Sequence, residues 1–164
     1  MNYNNFLQSK RINTLPCGFE IKTVNEILFS FQKDITKWSL KKGKSAIFAG
    51  TGLGKTIMQL EWAKHIHEHE NKPVLILAPL AVSNQTVKEG KKFNIDVNLC
   101  RSQDNVINGI NITNYEMLHH FDVSVFVGIV LDESSILKSF TGSVRNEIIT
   151  QFQYTPYKLS LIHI

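Results

Sequence analysis

Short apolar runs recur along the chain and alternate with longer amphipathic segments. Ser45 to Ala49, Val74 to Leu77, Val97 to Cys100, Ile110 to Thr113 and Phe126 to Leu131 all have strand length. Several are continuously apolar, the pattern of strands buried on both faces of a parallel sheet, and parallel strands need helical crossovers. The intervening segments supply them. Leu28 to Lys42 sets Phe31, Ile35, Trp38 and Ser39 at helical spacing, and Lys55 to Glu68 does the same with Met58, Trp62 and Ile66. Val82 to Phe93 and Val144 to Phe152 are two further helix candidates. The pattern predicts an α/β fold, an open and mainly parallel sheet with helices on both faces and ligands at the carboxyl ends of its strands. Trp38 and Trp62 are both expected to pack in the core.

Composition narrows the class without naming a function. The chain has 164 residues, 18 Lys+Arg against 14 Asp+Glu, and 43% hydrophobic residues. A domain of this size buries about 68–70% of its unfolded surface and needs no disulfide or metal staple. Cys17 and Cys100 form no CxxC pair and read as reduced thiols. The polar, Asn-rich start up to Asn13 sets residues 1–20 apart as an N-terminal extension without the pattern of a secretory signal. The longest apolar stretch, Val123 to Leu131, falls far short of the ~20 residues of a membrane span, so no membrane role and a cytoplasmic location are expected. A net charge of +4 and a pI near 9.1 tolerate a polyanionic partner, but a solvated lysine face is the commoner source of such a charge.

The chemistry concentrates in Ala46-Ile47-Phe48-Ala49-Gly50-Thr51-Gly52-Leu53-Gly54-Lys55-Thr56, where an apolar strand runs through three glycines into a helix. This is the pattern of a Walker A phosphate loop. Glycines let successive N–H groups turn inward around a phosphate, where a Cβ would obstruct the approach. Lys55 supplies a charge to the β- and γ-phosphates of ATP, Thr56 offers a hydroxyl to magnesium, and the helix aims its N-terminal dipole at the same anion. Gly50, Thr51, Gly52, Leu53, Gly54, Lys55 and Thr56 are the candidate nucleotide-binding residues. Ala49 stands where the strict pattern has glycine.

A nucleotide held there needs a metal anchor and a group to position water, at the end of another buried strand. Val127 to Leu131 leads directly into Asp132-Glu133. Consecutive residues at a strand end point in different directions, so Asp132 can face the metal while Glu133 faces the attacking water. Lys55, Asp132 and Glu133 are therefore the candidate catalytic residues, with Thr56 and Asp132 on magnesium.

In order along the chain stand Phe31-Gln32, Gly52 to Thr56, Pro73 to Leu80, Ile112-Thr113-Asn114-Tyr115-Glu116, and Leu131-Asp132-Glu133-Ser134-Ser135 followed by Lys138. From Phe29 to Leu159 the sequence resembles helicase superfamily two, which includes the DEAD-box and Swi/Snf-type ATPases, and especially short Swi/Snf-like proteins of tailed phages. The resemblance implies a P-loop, RecA-like fold and a nucleic-acid-dependent ATPase, a helicase or DNA translocase of a bacterial or phage-infected cell, with ATP and magnesium. It implies that Gln32 reads the adenine edge and that Pro79, Leu80, Thr113 and Asn114 touch a nucleic-acid backbone, DNA rather than RNA. Ser134-Ser135 departs from the family's pattern, in which the last of these residues couples hydrolysis to a second domain.

The resemblance also implies a strand at Tyr157 to Leu161 leading into a Ser-Ala-Thr type motif. The chain reads Ile162-His163-Ile164 instead. Leu159 to Ile164 is also one reading-frame translation of a transposase mosaic end, so residues 21–158 are read as the first RecA-like domain, incomplete at its C-terminus, and 159–164 as an appended tail. On this reading the second RecA-like lobe is missing, and with it the arginine finger worth about 10³–10⁵ in rate. Two alternatives stay open. A P-loop phosphotransferase needs an arginine-rich lid, for which only Arg11, Arg101 and Arg145 exist; the other is a non-catalytic nucleotide- or DNA-binding module. His65 and His69 share a helix face without an evident third metal ligand and read as solvated.

Overall fold

The computed structural model describes residues 15–138 and 142–163. Residues 1–14 of the N-terminal extension and Ile164 of the tail lie outside the described residues. The elements are α1 (Ser30–Lys42), β1 (Lys44–Ala49), α2 (Lys55–Glu70), β2 (Val74–Ala78), α3 (Leu80–Lys92), β3 (Val97–Leu99), β4 (Ile110–Asn114), β5 (Gly128–Leu131), α4 (Gly142–Gln151) and β6 (Tyr157–His163). Short 3₁₀ turns, among them Tyr115–His120 and Ser134–Lys138, join the later strands.

The six strands form one sheet in the order β1-β6-β5-β2-β4-β3, and every pair is parallel. All carboxyl ends therefore open on one edge. The continuously apolar β2 explains this burial on both sides. Its Val74, Ile76 and Ala78 enter one core with Leu60, Trp62 and Ile66 of α2, while Leu75 and Leu77 enter a second core with Leu118, Phe121, Ile148 and Phe152. Helices cover both faces, as the sequence pattern predicts.

One reading of the sequence needs correction. Trp62 is fully buried, but Trp38 is 47% exposed and Phe31 43% exposed, so these two aromatic positions of α1 face outward while Ile35 packs against the core. The inward positions are Gln32, Thr36, Ser39 and Leu40. Small and polar residues sit there because α1 packs closely against α2 and the loop before it. At the chain end, Leu159 to His163 continue β6 in register beside its neighbours, Leu159 beside Ser45 and Val130, and Leu161 beside Ile47. Leu159 and Leu161 are among the most buried side chains of the described residues.

Candidate nucleotide site at the carboxyl edge of the sheet

The glycine loop, residues 50–54, bridges β1 and α2 at that open edge. Gly52 and Gly54 adopt left-handed backbone, φ 76° and 74°, which folds the loop back on itself before the helix begins. A Cβ on Gly54 would lie 2.2 Å from Gln32 Nε2. Gln32 braces this turn from α1: its Nε2 donates to the Leu53 carbonyl at 3.0 Å, and its Oε1 accepts the Phe29 N–H at 2.9 Å. The second bond closes the first turn of α1 as well. Lys55 Nζ donates to the carbonyls of Ala49 and Gly50 at 3.0 and 3.1 Å, so its ammonium lies within the loop. Beside it is a cavity of about 360 Å³, lined by Gly52, Gly54, Lys55 and Thr56 and by Gln85 and Glu89 of α3.

The carboxylate pair reaches the same place from β5. Asp132 N–H donates to Leu77 O at 2.8 Å, extending the ladder past the strand's end and burying the side chain. Gln59, one turn along α2 from Lys55, donates from Nε2 to Asp132 Oδ2 at 3.1 Å. Burial raises the Asp132 carboxyl above the usual aspartate range; the Gln59 bond, the Glu133 N–H and the positive charge of Lys55 oppose that rise. Lys55 and Asp132 thus sit in one another's field. Glu133 is held at φ 51°, left-handed backbone that a non-glycine residue rarely adopts and that concentrates at functional sites. Its Oε1 accepts the Ser135 hydroxyl, and Ser134 Oγ lies 2.7 Å from Ser160 Oγ of β6.

Of the positions expected to touch nucleic acid, three meet. Leu80, Thr113 and Asn114 line a cavity of about 330 Å³ at the ends of β2 and β4, together with Ser83, Asn84 and Arg101. Pro79 does not line it; it precedes α3, and its carbonyl accepts the Val82 N–H at 2.9 Å. Asn114 Oδ1 accepts the Met117 N–H at 3.0 Å and so caps the turn Tyr115–His120.

Sequence reasoning missed Gln59, Tyr115 and Arg101 as site residues. Gln59 was open to discovery, because a residue four after the loop lysine returns to the same helix face. Arg101 carries no local signal, and Tyr115 stands within the Ile112 to Glu116 motif with no role of its own assigned. The histidines have structural partners: His65 Nε2 lies 3.1 Å from Glu61 Oε1, and His69 stacks on Phe19 at 3.8 Å. Cys100 is buried, which pushes its thiol up to about 11.

A glycine loop after β1 and a carboxylate pair after β5, with one strand between them, mark a superfamily two helicase-like, N-terminal RecA-like domain. The chain belongs to the type III restriction enzyme res-subunit family, whose model matches residues 19–153. Comparison with curated proteins gives no match. Among solved structures, the UvsW helicase from bacteriophage T4 matches with a TM-score of 0.72 and 18% identity over 99% of this chain and 60% of that one. The Sulfolobus solfataricus SWI2/SNF2 ATPase core in complex with dsDNA gives 0.70 and 18%, over 89% of this chain and 34% of that one. The Pyrococcus furiosus Hef helicase domain gives 0.67 and 16%, over 82% and 33%. At such identities the likeness speaks for the fold, and this chain spans between a third and three fifths of those structures. Among the described residues, no helix is long and apolar enough to cross a membrane.

Proposed function

We propose that this chain is the ATP-binding lobe of a nucleic-acid-dependent ATPase, a helicase or translocase acting on DNA. The observation that carries this reading is the convergence of Lys55 and Asp132 at one mouth of the sheet, where Gln59, one turn along α2 from Lys55, donates to Asp132 and the Lys55 charge acts on the same carboxyl. Loop N–H groups, the α2 N-terminus and the Lys55 ammonium hold the β- and γ-phosphates. Gln32 keeps capacity on each amide atom for one further hydrogen bond, which suits it to the adenine edge.

The donor set fits magnesium, since a hydroxyl and a buried carboxylate are the hard oxygen ligands that ion selects. Thr56 and Asp132 would hold it, and the bound ion supplies charge neutralisation across the phosphate oxygens. Glu133 orients the attacking water and takes its proton, with the Ser135 hydroxyl fixing the carboxylate's direction. Leu80, Thr113, Asn114 and the Arg101 guanidinium face a polynucleotide backbone, and the dsDNA complex of the Sulfolobus relative favours DNA. A second RecA-like lobe completes the site with an arginine finger, so turnover by this lobe alone is slow.

The test is nucleotide binding with magnesium in wild type and Lys55→Ala. Losing an ammonium bonded to phosphate is expected to weaken affinity about tenfold or more. Equal affinity in the two proteins would reject the phosphate-loop role. Glu133→Gln is expected to retain binding and to abolish the slow hydrolysis.

A further inference from the structure

We propose that Tyr115 is a positioning residue that couples polynucleotide contact at the Asn114 cavity to the setting of the Asp132–Glu133 peptide, and through it the Glu133 carboxylate. The inference rests on the function proposed above and deepens it.

Tyr115 is 3% exposed, and its hydroxyl donates to the Asp132 carbonyl at 2.7 Å. That carbonyl belongs to the peptide whose far side is Glu133, the residue with left-handed backbone. Holding the oxygen holds the peptide plane, and the plane sets where the Glu133 side chain departs. A non-glycine backbone in that region is strained and persists only where neighbours enforce it. Burial, and then the charges of Asp132 and Glu133, push the Tyr115 hydroxyl above the usual tyrosine range, so it stays protonated and donates.

The other end of the linkage is at β4. Tyr115 opens the turn Tyr115–His120, and Asn114, immediately before it, caps that turn through Met117 N–H. Asn114 and Met117 both line the cavity that holds Arg101. A backbone phosphate that accepts from Asn114 Nδ2 pulls on the same amide whose Oδ1 holds the cap, and so shifts the first residue of the turn. The strand order β5-β2-β4 means that Tyr115 reaches over the end of β2 to meet Asp132. Cavity, cap, tyrosine, carbonyl and glutamate thus form one unbroken chain of contacts between two ligand sites.

The experiment measures linkage on the full chain, with a fluorescent non-hydrolysable ATP analogue plus magnesium and a short DNA duplex. In wild type each ligand is expected to tighten the other by the same factor, about fivefold or more, as reciprocal coupling demands. In Tyr115→Phe each ligand alone is expected to bind within about twofold of wild type, while the coupling factor falls to about one. Leu118→Val trims a buried contact of the same turn and is expected to leave the factor intact.

Wild-type coupling in Tyr115→Phe overturns the proposal, as does a wild-type factor of one, and both leave the nucleotide-site reading standing. Equal loss in Leu118→Val reduces Tyr115 to packing and overturns it too. Failure of wild type to bind the nucleotide, or binding unaffected by Lys55→Ala, overturns both readings. Should Tyr115→Phe not fold, amide exchange in wild type decides: duplex is expected to change protection at Ile136, whose N–H bonds the Glu133 carbonyl at 3.0 Å, and unchanged protection overturns the proposal.

Discussion

Asp132 holds its carboxylate where water scarcely reaches, and that position costs stability. Burial favours the protonated acid, so the folded state retains a proton that the unfolded chain releases near the ordinary aspartate value of 3.8. With the folded value above the unfolded one, stability is highest at acid pH, falls as pH rises through the window between them, and stays lowered above it. Asp132→Asn removes the charge and keeps an oxygen for the Gln59 amide. The variant is expected to unfold a few degrees above wild type near neutral pH, the gap closing as the pH approaches the acid end of that window. The same change is expected to abolish the magnesium-dependent part of nucleotide binding. Thermal melts across pH check the first outcome and titrations with and without magnesium the second; an amide variant no more stable than wild type at neutral pH would show that Gln59 and Lys55 already offset the burial.

Between elements, the phosphate loop depends on α1 as much as on the strand and helix it joins. Gly52 and Gly54 have nearly the same backbone angles but different surroundings: a Cβ at Gly52 meets nothing within 4 Å, whereas one at Gly54 meets the Gln32 amide. Gly52→Ala is therefore expected to cost about 1–2 kcal/mol from left-handed backbone alone. Gly54→Ala adds the displaced Gln32–Leu53 bond, about 1 kcal/mol more, and a nucleotide affinity weakened beyond that of Gly52→Ala. Denaturant unfolding and binding of the two variants side by side measure the difference. The strands and the loop were legible in the sequence because their signals are contiguous: apolar runs, closely spaced glycines, a lysine and an acidic pair. The inner face of α1 was not, since Gln32, Thr36 and Ser39 are inward for their contacts rather than their hydropathy. Tyr115 escaped for a related reason, because its partner is a main-chain carbonyl on another strand, and sequence records no such acceptor.

At the scale of the whole molecule, strand order decides which groups can meet, and periodicity carries no information about strand order. The loop strand β1 and the carboxylate strand β5 do not touch; β6 lies between them and pairs with both. Leu159 to His163 form most of this interior strand. Among the described residues β1 pairs with β6 alone, so without these residues the strand that carries the glycine loop loses most of its sheet partner. Leu159 and Leu161 are buried almost completely, and each contributes about 1.5–3 kcal/mol by leaving water. The loss of both, with the ladder on either side, is comparable to the whole stability of a domain, about 5–15 kcal/mol. A chain ending at residue 158 is therefore expected to show no cooperative melt and no magnesium-dependent nucleotide binding, whereas Leu161→Ala, at a cost of about 2–5 kcal/mol, is expected to leave a weakened but cooperative transition. Calorimetry and nucleotide titration on both proteins check this. A truncated chain that melts and binds as wild type does would mean that β1 is held to the rest of the sheet by the helices alone.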